Sequence, residues 1–420
     1  MFDIDKWQEI FHSLSKNPFR TALTAFGVFW GIFMLVVIMG AGNGLEKGAQ
    51  SGFEGTATNS LYLWAQRTSI AYKGLPPSRF IQMNTQDWEA LKRGIPEADI
   101  IAPRNQLGGW QGGNNVTRGV KSGGFEVSGD MPDIIHVEGP MITEGRFLNP
   151  FDIENSRKVA VIGPRVKEIL FEPEENPIGE YIHINGVYFQ VVGVFDVREA
   201  GGRGERLAQK IYTPFTTFQR AFNYGNRVSW FAITSQDNIP VSEVEEKVIS
   251  LLQTRHKIAP EDRRAFGHFN LEERFMQFVN LMKGIKLISW FVGILTLVAG
   301  VIGVSNIMLI IVKERTKEIG VRRAVGAKPL SIVGLIVWEA VILTSLAGYL
   351  GMVCGVGVLE LVNYFMEASE IETGFFQSPS VDVQLIINAL IILVIGGVFA
   401  GLIPARRALS ISPVDALRAE

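Results

Sequence analysis

Cysteine is almost missing from these 420 residues; the single one is Cys354. An intrachain disulfide is therefore impossible, and a cysteine-built metal cage is excluded. Cys354 lies in an apolar run and reads as a small buried residue. Histidine is scarce too: His12, His136, His183, His256 and His268 are scattered and read as structural or solvated. No G-x-x-x-x-G-K-[ST] phosphate loop, no H-E-x-x-H pair and no G-x-S-x-G elbow occurs. The chain shows no catalytic, cofactor-binding or metal-binding constellation of its own, so we expect no enzyme activity in this chain by itself. The net charge of −2 leaves no electrostatic footprint for nucleic acid.

Charge is also absent locally. Residues 21–45, 287–312, 340–359 and 383–405 each run 20 or more positions without a charged side chain. About 20 apolar residues cross a bilayer core, so four transmembrane helices are expected, at 19–45, 285–312, 329–362 and 383–405. The first run is too long for a signal-peptide core of roughly 7–15 residues. Three of the runs contain a G-x-x-x-G spacing: Gly27 with Gly31, Gly351 with Gly355, and Gly397 with Gly401. Such pairs let helices approach closely, in a tight bundle or a dimer.

What lies between the spans sets their direction. Residues 313–328 carry six basic residues against two acidic ones, and the turn at 363–382 carries acids but no Lys or Arg. Short basic loops stay inside, so both termini and 313–328 are expected in the cytoplasm. Residues 1–18 alternate Ile4, Trp7, Phe11 and Leu14 with charged positions and read as an interfacial helix on membrane lipid, ended by Pro18. Residues 406–420 form the other cytoplasmic tail.

Residues 46–284 hold no span and have 27 Lys/Arg against 29 Asp/Glu, the balance of an ordinary soluble domain. Two flanks, 46–124 and 227–270, read as β-α-β units of split βαβ type. The first has strands at 59–66, 99–107 and 115–122 with a helix at 85–93. The second has strands at 228–235 and 266–270, with a helix opened by a Ser242/Glu245 capping box. The insertion at 125–226 is richer in strands and carries Asn185-Gly186, a strong hairpin signal. Gly108-Gly109, Gly112-Gly113 and Gly201-Gly202-Arg203-Gly204 read as flexible loops. Residues 271–286 read as a stalk helix running into the second span. The fold class expected is a four-span α-helical membrane protein with a large α+β extracytoplasmic domain.

The basic segment 313–328 reads as a helix until Gly326 and Pro329, with Glu314, Glu318 and Arg322 on one face. A short charged helix joined to a span on each side is built to be pushed from the cytoplasm. Glu339 is the ionisable residue within a span; a structural bond to Ser305, Asn306 or a neighbouring chain, or a proton relay, would each account for it.

Residues 314–327, ERTKEIGVRRAVGA, resemble the signature of the MacB/FtsX-type ABC transporter permeases, the type VII exporters. The ending IPARRALSISPVDALR and the region 145–215 are similar to the same family, so the resemblance covers essentially the whole chain. It implies a porter-like outer domain with an inserted, mainly β, subdomain in the periplasm of a bacterial inner membrane protein. It implies a homodimer and an ABC ATP-binding subunit, with ATP and magnesium held by that partner. Glu314, Arg315, Glu318, Ile319, Gly320, Arg322, Arg323 and Gly326 would then form the ATPase-coupling interface. The best-known MacB proteins carry a fused ATPase domain, so a separate ATPase polypeptide is expected here. The family works by mechanotransmission, and efflux of peptides or macrolide-like drugs with a periplasmic adaptor and outer-membrane channel is the reading it favours. A LolC/LolE-like lipoprotein-releasing subunit and an FtsX-like regulator of a cell-wall hydrolase are the alternatives.

Overall fold

The computed structural model describes residues 18–51, 55–108, 114–197, 202–368, 379 and 383–410. Residues 1–17 of the interfacial helix expected over 1–18, most of the acidic turn after the third span, and the last ten residues lie outside the described residues. The chain divides into two compact units, one built from the spans and one from residues 49–280.

Four helices among the described residues are long and apolar enough to cross a membrane. They are Pro18–Ser51, Leu271–Glu314, Pro329–Ala368 and Val383–Leu409, the first to fourth spans. Each outruns its uncharged stretch. The second has 44 residues, about 66 Å at 1.5 Å per residue, where a bilayer core needs about 30 Å. The expected stalk and second span are thus one element. Pro404, close to the end expected for the fourth span at 405, lies inside a helix that continues to Leu409. Neighbouring helices can re-satisfy the backbone group a span proline frees. The spans share one core that includes Val28, Ile32, Val304, Met308, Ile336, Ala340, Leu393 and Ala405.

In the large domain, strands β1 (Ser60–Ala65), β3 (Ala98–Gln106), β12 (Trp230–Ser235) and β13 (Phe266–Asn270) form an antiparallel sheet ordered β3-β12-β1-β13. Helices Thr85–Gly94 and Val241–Arg255 cover it. This is the ferredoxin-like split βαβ arrangement. A two-strand pair, β2 (Met83–Asn84) with β11 (Arg227–Val228), lies beside it. The helix over 241–255 is not opened by a Ser242/Glu245 box. Its N-cap is Pro240, and the Glu272 carboxylate accepts from the Val241 N–H at 2.7 Å. A remote acid has replaced the local one at a helix N-terminus, where negative charge is favoured.

The second lobe is a ring. Strands β4 (Asn114–Arg118), β5 (Lys121–Asp130), β7 (Val159–Ile162), β8 (Tyr181–Ile184), β9 (Val187–Asp196) and β10 (Lys210–Pro214) pair in the order β10-β7-β9-β8-β4-β5. A parallel β5–β10 ladder closes the circle, and β6 (Met141–Gly145) adds to β9. The expected strand over 115–122 is in fact two strands, β4 and β5, folding back at Gly119 (φ +59). Val116 sits in the ring's core with Phe125, Ile182 and Phe189, so the inserted lobe begins near residue 107 and not at 125. The Asn185-Gly186 turn has φ of 43° and 90° and joins β8 to β9.

Candidate functional site

The second span ends at Glu314, and Arg315 (φ −94, ψ 14) interrupts the helix. The Thr316 hydroxyl donates to the Lys313 carbonyl at 2.7 Å. A nine-residue helix, Thr316–Ala324, follows, shorter than the sixteen residues expected because the span end and junction take up the first three positions and the closing turn takes up the last four. It ends where Gly326 adopts φ +96, with its N–H on the Arg323 carbonyl and the Ala327 N–H on that of Arg322. That left-handed position is one glycine fills without strain.

The bundle braces this helix on its inner side. Ile319 and Gly320 are buried, and Ile319 packs into the span core with Val312, Ile332, Ile336 and Ala408. Arg315 lies 3.7 Å from the Glu339 carboxylate of the third span. Arg323 donates to the Leu409 carbonyl at the end of the fourth span, at 2.9 Å. A buried carbonyl at a helix end needs such a donor, and a cation there also suits the helix dipole. Glu318 pairs with Arg322 at 2.9 Å and lies 3.9 Å from Arg315. Of the eight coupling residues named from the sequence, only Glu314, Glu318 and Gly326 are exposed. Arg315, Ile319, Gly320 and Arg323 hold the helix to its own chain.

The outward face is carried by residues the motif did not single out. Lys317, Val321, Ala324, Val325 and Lys328 are exposed, Val321 to 48% and Val325 to 85%. Their spacing from Lys317 would have placed them opposite Ile319 on a helical wheel.

Within the spans, Glu339 is buried, and Arg315 is the charged partner the structure brings to it. Ser305 is buried; Asn306 is exposed. Cys354 is exposed as well, contrary to its expected burial. The glycine pairs all face helices of the same chain. Gly27 lies against Gly300 and Gly31 against Thr296 in the second span. A Cβ at Gly351 would overlap the Phe29 carbonyl, and one at Gly355 would come 2.8 Å from Val36, both in the first span. At Gly397 and Gly401 it would come within 2.9 Å and 2.8 Å of the third span's backbone.

The large domain has a charged centre of its own, which no motif announced. Arg104 on β3 is fully buried and holds Asp130 and Glu138, each at 2.5 Å. Lys210 and the Tyr212 hydroxyl, both on β10, reach the same Glu138 oxygen at 2.8 and 2.7 Å. Burial alone would raise the Glu138 pKa, but the charges of Arg104 and Lys210 outweigh it and hold the carboxyl well below the usual range. Burial and the Glu138 charge push the Tyr212 hydroxyl up, so it stays protonated as the donor. Each charge is paired, so the cluster reads as a pin between the two lobes.

The profile of the MacB-like periplasmic core domain matches residues 21–251, and that of the FtsX-like permease C-terminal matches residues 290–413. The chain belongs to the MacB/FtsX family of ABC permeases. It is 29% identical over 417 residues to a pyoverdine export ATP-binding/permease protein, PvdT, of Pseudomonas entomophila, covering 99% of this chain and 60% of that protein. It is 27% identical over 418 residues to a macrolide export ATP-binding/permease protein, MacB, of Bdellovibrio bacteriovorus, covering 99% and 62%. The chain thus spans about three-fifths of the length of the curated relatives it matches. The crystal structure of the periplasmic region of MacB from Actinobacillus actinomycetemcomitans aligns with a TM-score of 0.43 at 21% identity, covering 54% of this chain and 96% of that one. As a MacB/FtsX permease, the chain is a membrane protein with a large domain between its first two spans.

Proposed function

We propose that this chain is the membrane component of an ABC exporter and that the helix Thr316–Ala324 receives the push of an ATP-binding domain lying outside these 420 residues. One observation carries the reading. The helix is fixed to the second, third and fourth spans at once, by continuity, by Arg315–Glu339 and by Arg323–Leu409, while Val321 and Val325 face away from them. Exposed apolar residues rimmed by charge suit a protein contact. A load on that face is handed to three spans together, which is what mechanotransmission requires.

In this reading ATP and magnesium belong to the partner, and the chain itself catalyses nothing. Two copies assemble in a bacterial inner membrane, with both termini and the short helix in the cytoplasm and the large domain in the periplasm. The curated relatives are named for pyoverdine export and macrolide export, and export of peptides, macrolide-like drugs or similar molecules, with a periplasmic adaptor and an outer-membrane channel, is the reading proposed for this chain. The test is co-purification of an ATP-binding protein from native membranes with wild type and with Val321→Asp/Val325→Asp. Loss of that protein in the variant supports the reading. Full retention, or no such protein with wild type, overturns it.

A further inference from the structure

The segment Arg67–Phe80 between β1 and β2 forms a folded arm. Its tip is a two-residue turn, Lys73 (φ 47) and Gly74 (φ 77), closed by two backbone bonds between Tyr72 and Leu75 at 3.1 and 2.9 Å. Its base is closed by the Thr68 N–H on the Arg79 carbonyl and the Ser78 N–H on the Thr68 carbonyl.

The arm is anchored to the segment just before β13. Buried Asp262 accepts from the Ser69 N–H at 2.7 Å, the Ser69 hydroxyl at 2.6 Å and the Ile70 N–H at 3.1 Å. The Arg79 guanidinium donates to the carbonyls of His256 and Lys257. The arm is thereby held in shape before anything meets it, which lowers the ordering cost of binding.

What this framework holds outward is not what a solvated loop needs. Ile70 and Phe80 are exposed to 40% and 63%. Around them the arm and residues 255–264 carry seven Lys/Arg against two acids, and one of those acids is Asp262, already bonded to the arm. Arg255 pairs with Asp87. Arg67, Lys73, Lys257, Arg263 and Arg264 are exposed or at the rim and have no ion-pair partner among the described residues. The patch joins the ends of β1 and β13 opposite to those where the chain arrives from the first span and leaves for the second.

We infer that the arm Arg67–Phe80 with residues Lys257–Arg264 is a docking platform for a second protein whose face carries acidic residues around an apolar centre. Charge complementarity selects that partner: a basic rim meets acids, and Ile70 and Phe80 supply the desolvated middle. A rigid hairpin also suits a folded protein better than a fluid lipid surface, which selects amphipathic helices. This site is remote in sequence from the coupling helix, so it stands or falls separately from the function proposed above.

The test places a benzophenone amino acid at Phe80 in the full chain, in native membranes, with the same probe at fully exposed Val120 as comparator. The expected result is one protein cross-linked from position 80 and not from 120, through a peptide rich in Asp and Glu. The yield should fall roughly fivefold in Lys73→Glu/Arg263→Glu/Arg264→Glu, and also in the probe-bearing chain without those charge changes when salt is raised from about 0.1 M to about 1 M. Because the salt series needs no charge variant, a misfolded triple variant would not shield the idea. Equal yield at both positions, a yield indifferent to salt, or adducts only with lipid or a second copy of this chain would overturn it.

Discussion

Arg315 and Glu339 stand 3.7 Å apart, one at the break between the second span and the short helix, the other buried ten residues into the third span. The pair bonds the site proposed to take the push directly to the third span, which otherwise reaches the break only through the short helix and the turn after it. Removing one member of a buried ion pair costs about 3–5 kcal/mol, largely by stranding the other. Glu339→Ala should therefore lower ATP-driven transport by about tenfold or more while an ATP-binding partner still co-purifies. The exchanged pair Arg315→Glu/Glu339→Arg should recover part of it. Equal loss in the exchanged pair and the single variant would mean that these two charges do not work as a pair.

The third span should tolerate size at some glycines and not at others. Gly351→Ala forces a methyl into the Phe29 carbonyl, whereas Gly357 has open space around it. Overpacking costs about 1–3 kcal/mol, and alanine gains about 1 kcal/mol of helix propensity over glycine. Thermal unfolding in detergent should show a clear drop in Tm for Gly351→Ala and none for Gly357→Ala.

The pinned cluster of the large domain makes a pH prediction. Glu138 and Asp87 are both held below their ordinary carboxylate range, Glu138 by Arg104 and Lys210, Asp87 by His256 and Arg255 against the opposing effect of burial. A depressed folded pKa adds stability that is fully present above the unfolded pKa and is lost as pH falls through the folded one. Intrinsic fluorescence of the unfolding transition should therefore show little change from these two groups between about pH 6 and 8, and a decline below about pH 4. Glu138→Gln should flatten that decline and lower stability at neutral pH. An unchanged acid limb would mean that Glu138 carries no such linkage.

The 44-residue helix Leu271–Glu314 offers a mechanical test. Gln277→Pro costs about 3 kcal/mol of local helix and removes a backbone donor. Export should fail while the ATP-binding partner still binds, as read by a transport assay beside a pull-down. Normal export in that variant would end the idea that an unbroken helix is needed.

Much of the fold is legible because its signals are local. Charge-free runs mark the spans, and Asn185-Gly186 marks a hairpin. What escaped is long-range. Nothing near β5 says that it pairs with β10, some 85 positions away, so the ring and the true start of the inserted lobe were hidden. Glu272 displaced a plausible local cap from 31 residues downstream. The signature at 314–327 named the right helix but not its faces: a motif marks residues that matter without saying whether they face a partner or, like Ile319 and Arg323, hold their own scaffold.

The glycines of the third and fourth spans sort the membrane surface by tolerance. Gly351, Gly355, Gly397 and Gly401 all press on helices of the same chain, so no side chain larger than hydrogen fits there. Outward positions such as Leu346, Val353, Ile391 and Phe399 meet only what surrounds the protein. Lipid asks for apolarity and is indifferent to shape. In a saturation scan, an outward position that accepts leucine but refuses isoleucine or phenylalanine would therefore mark where another polypeptide, and not lipid, lies against the bundle.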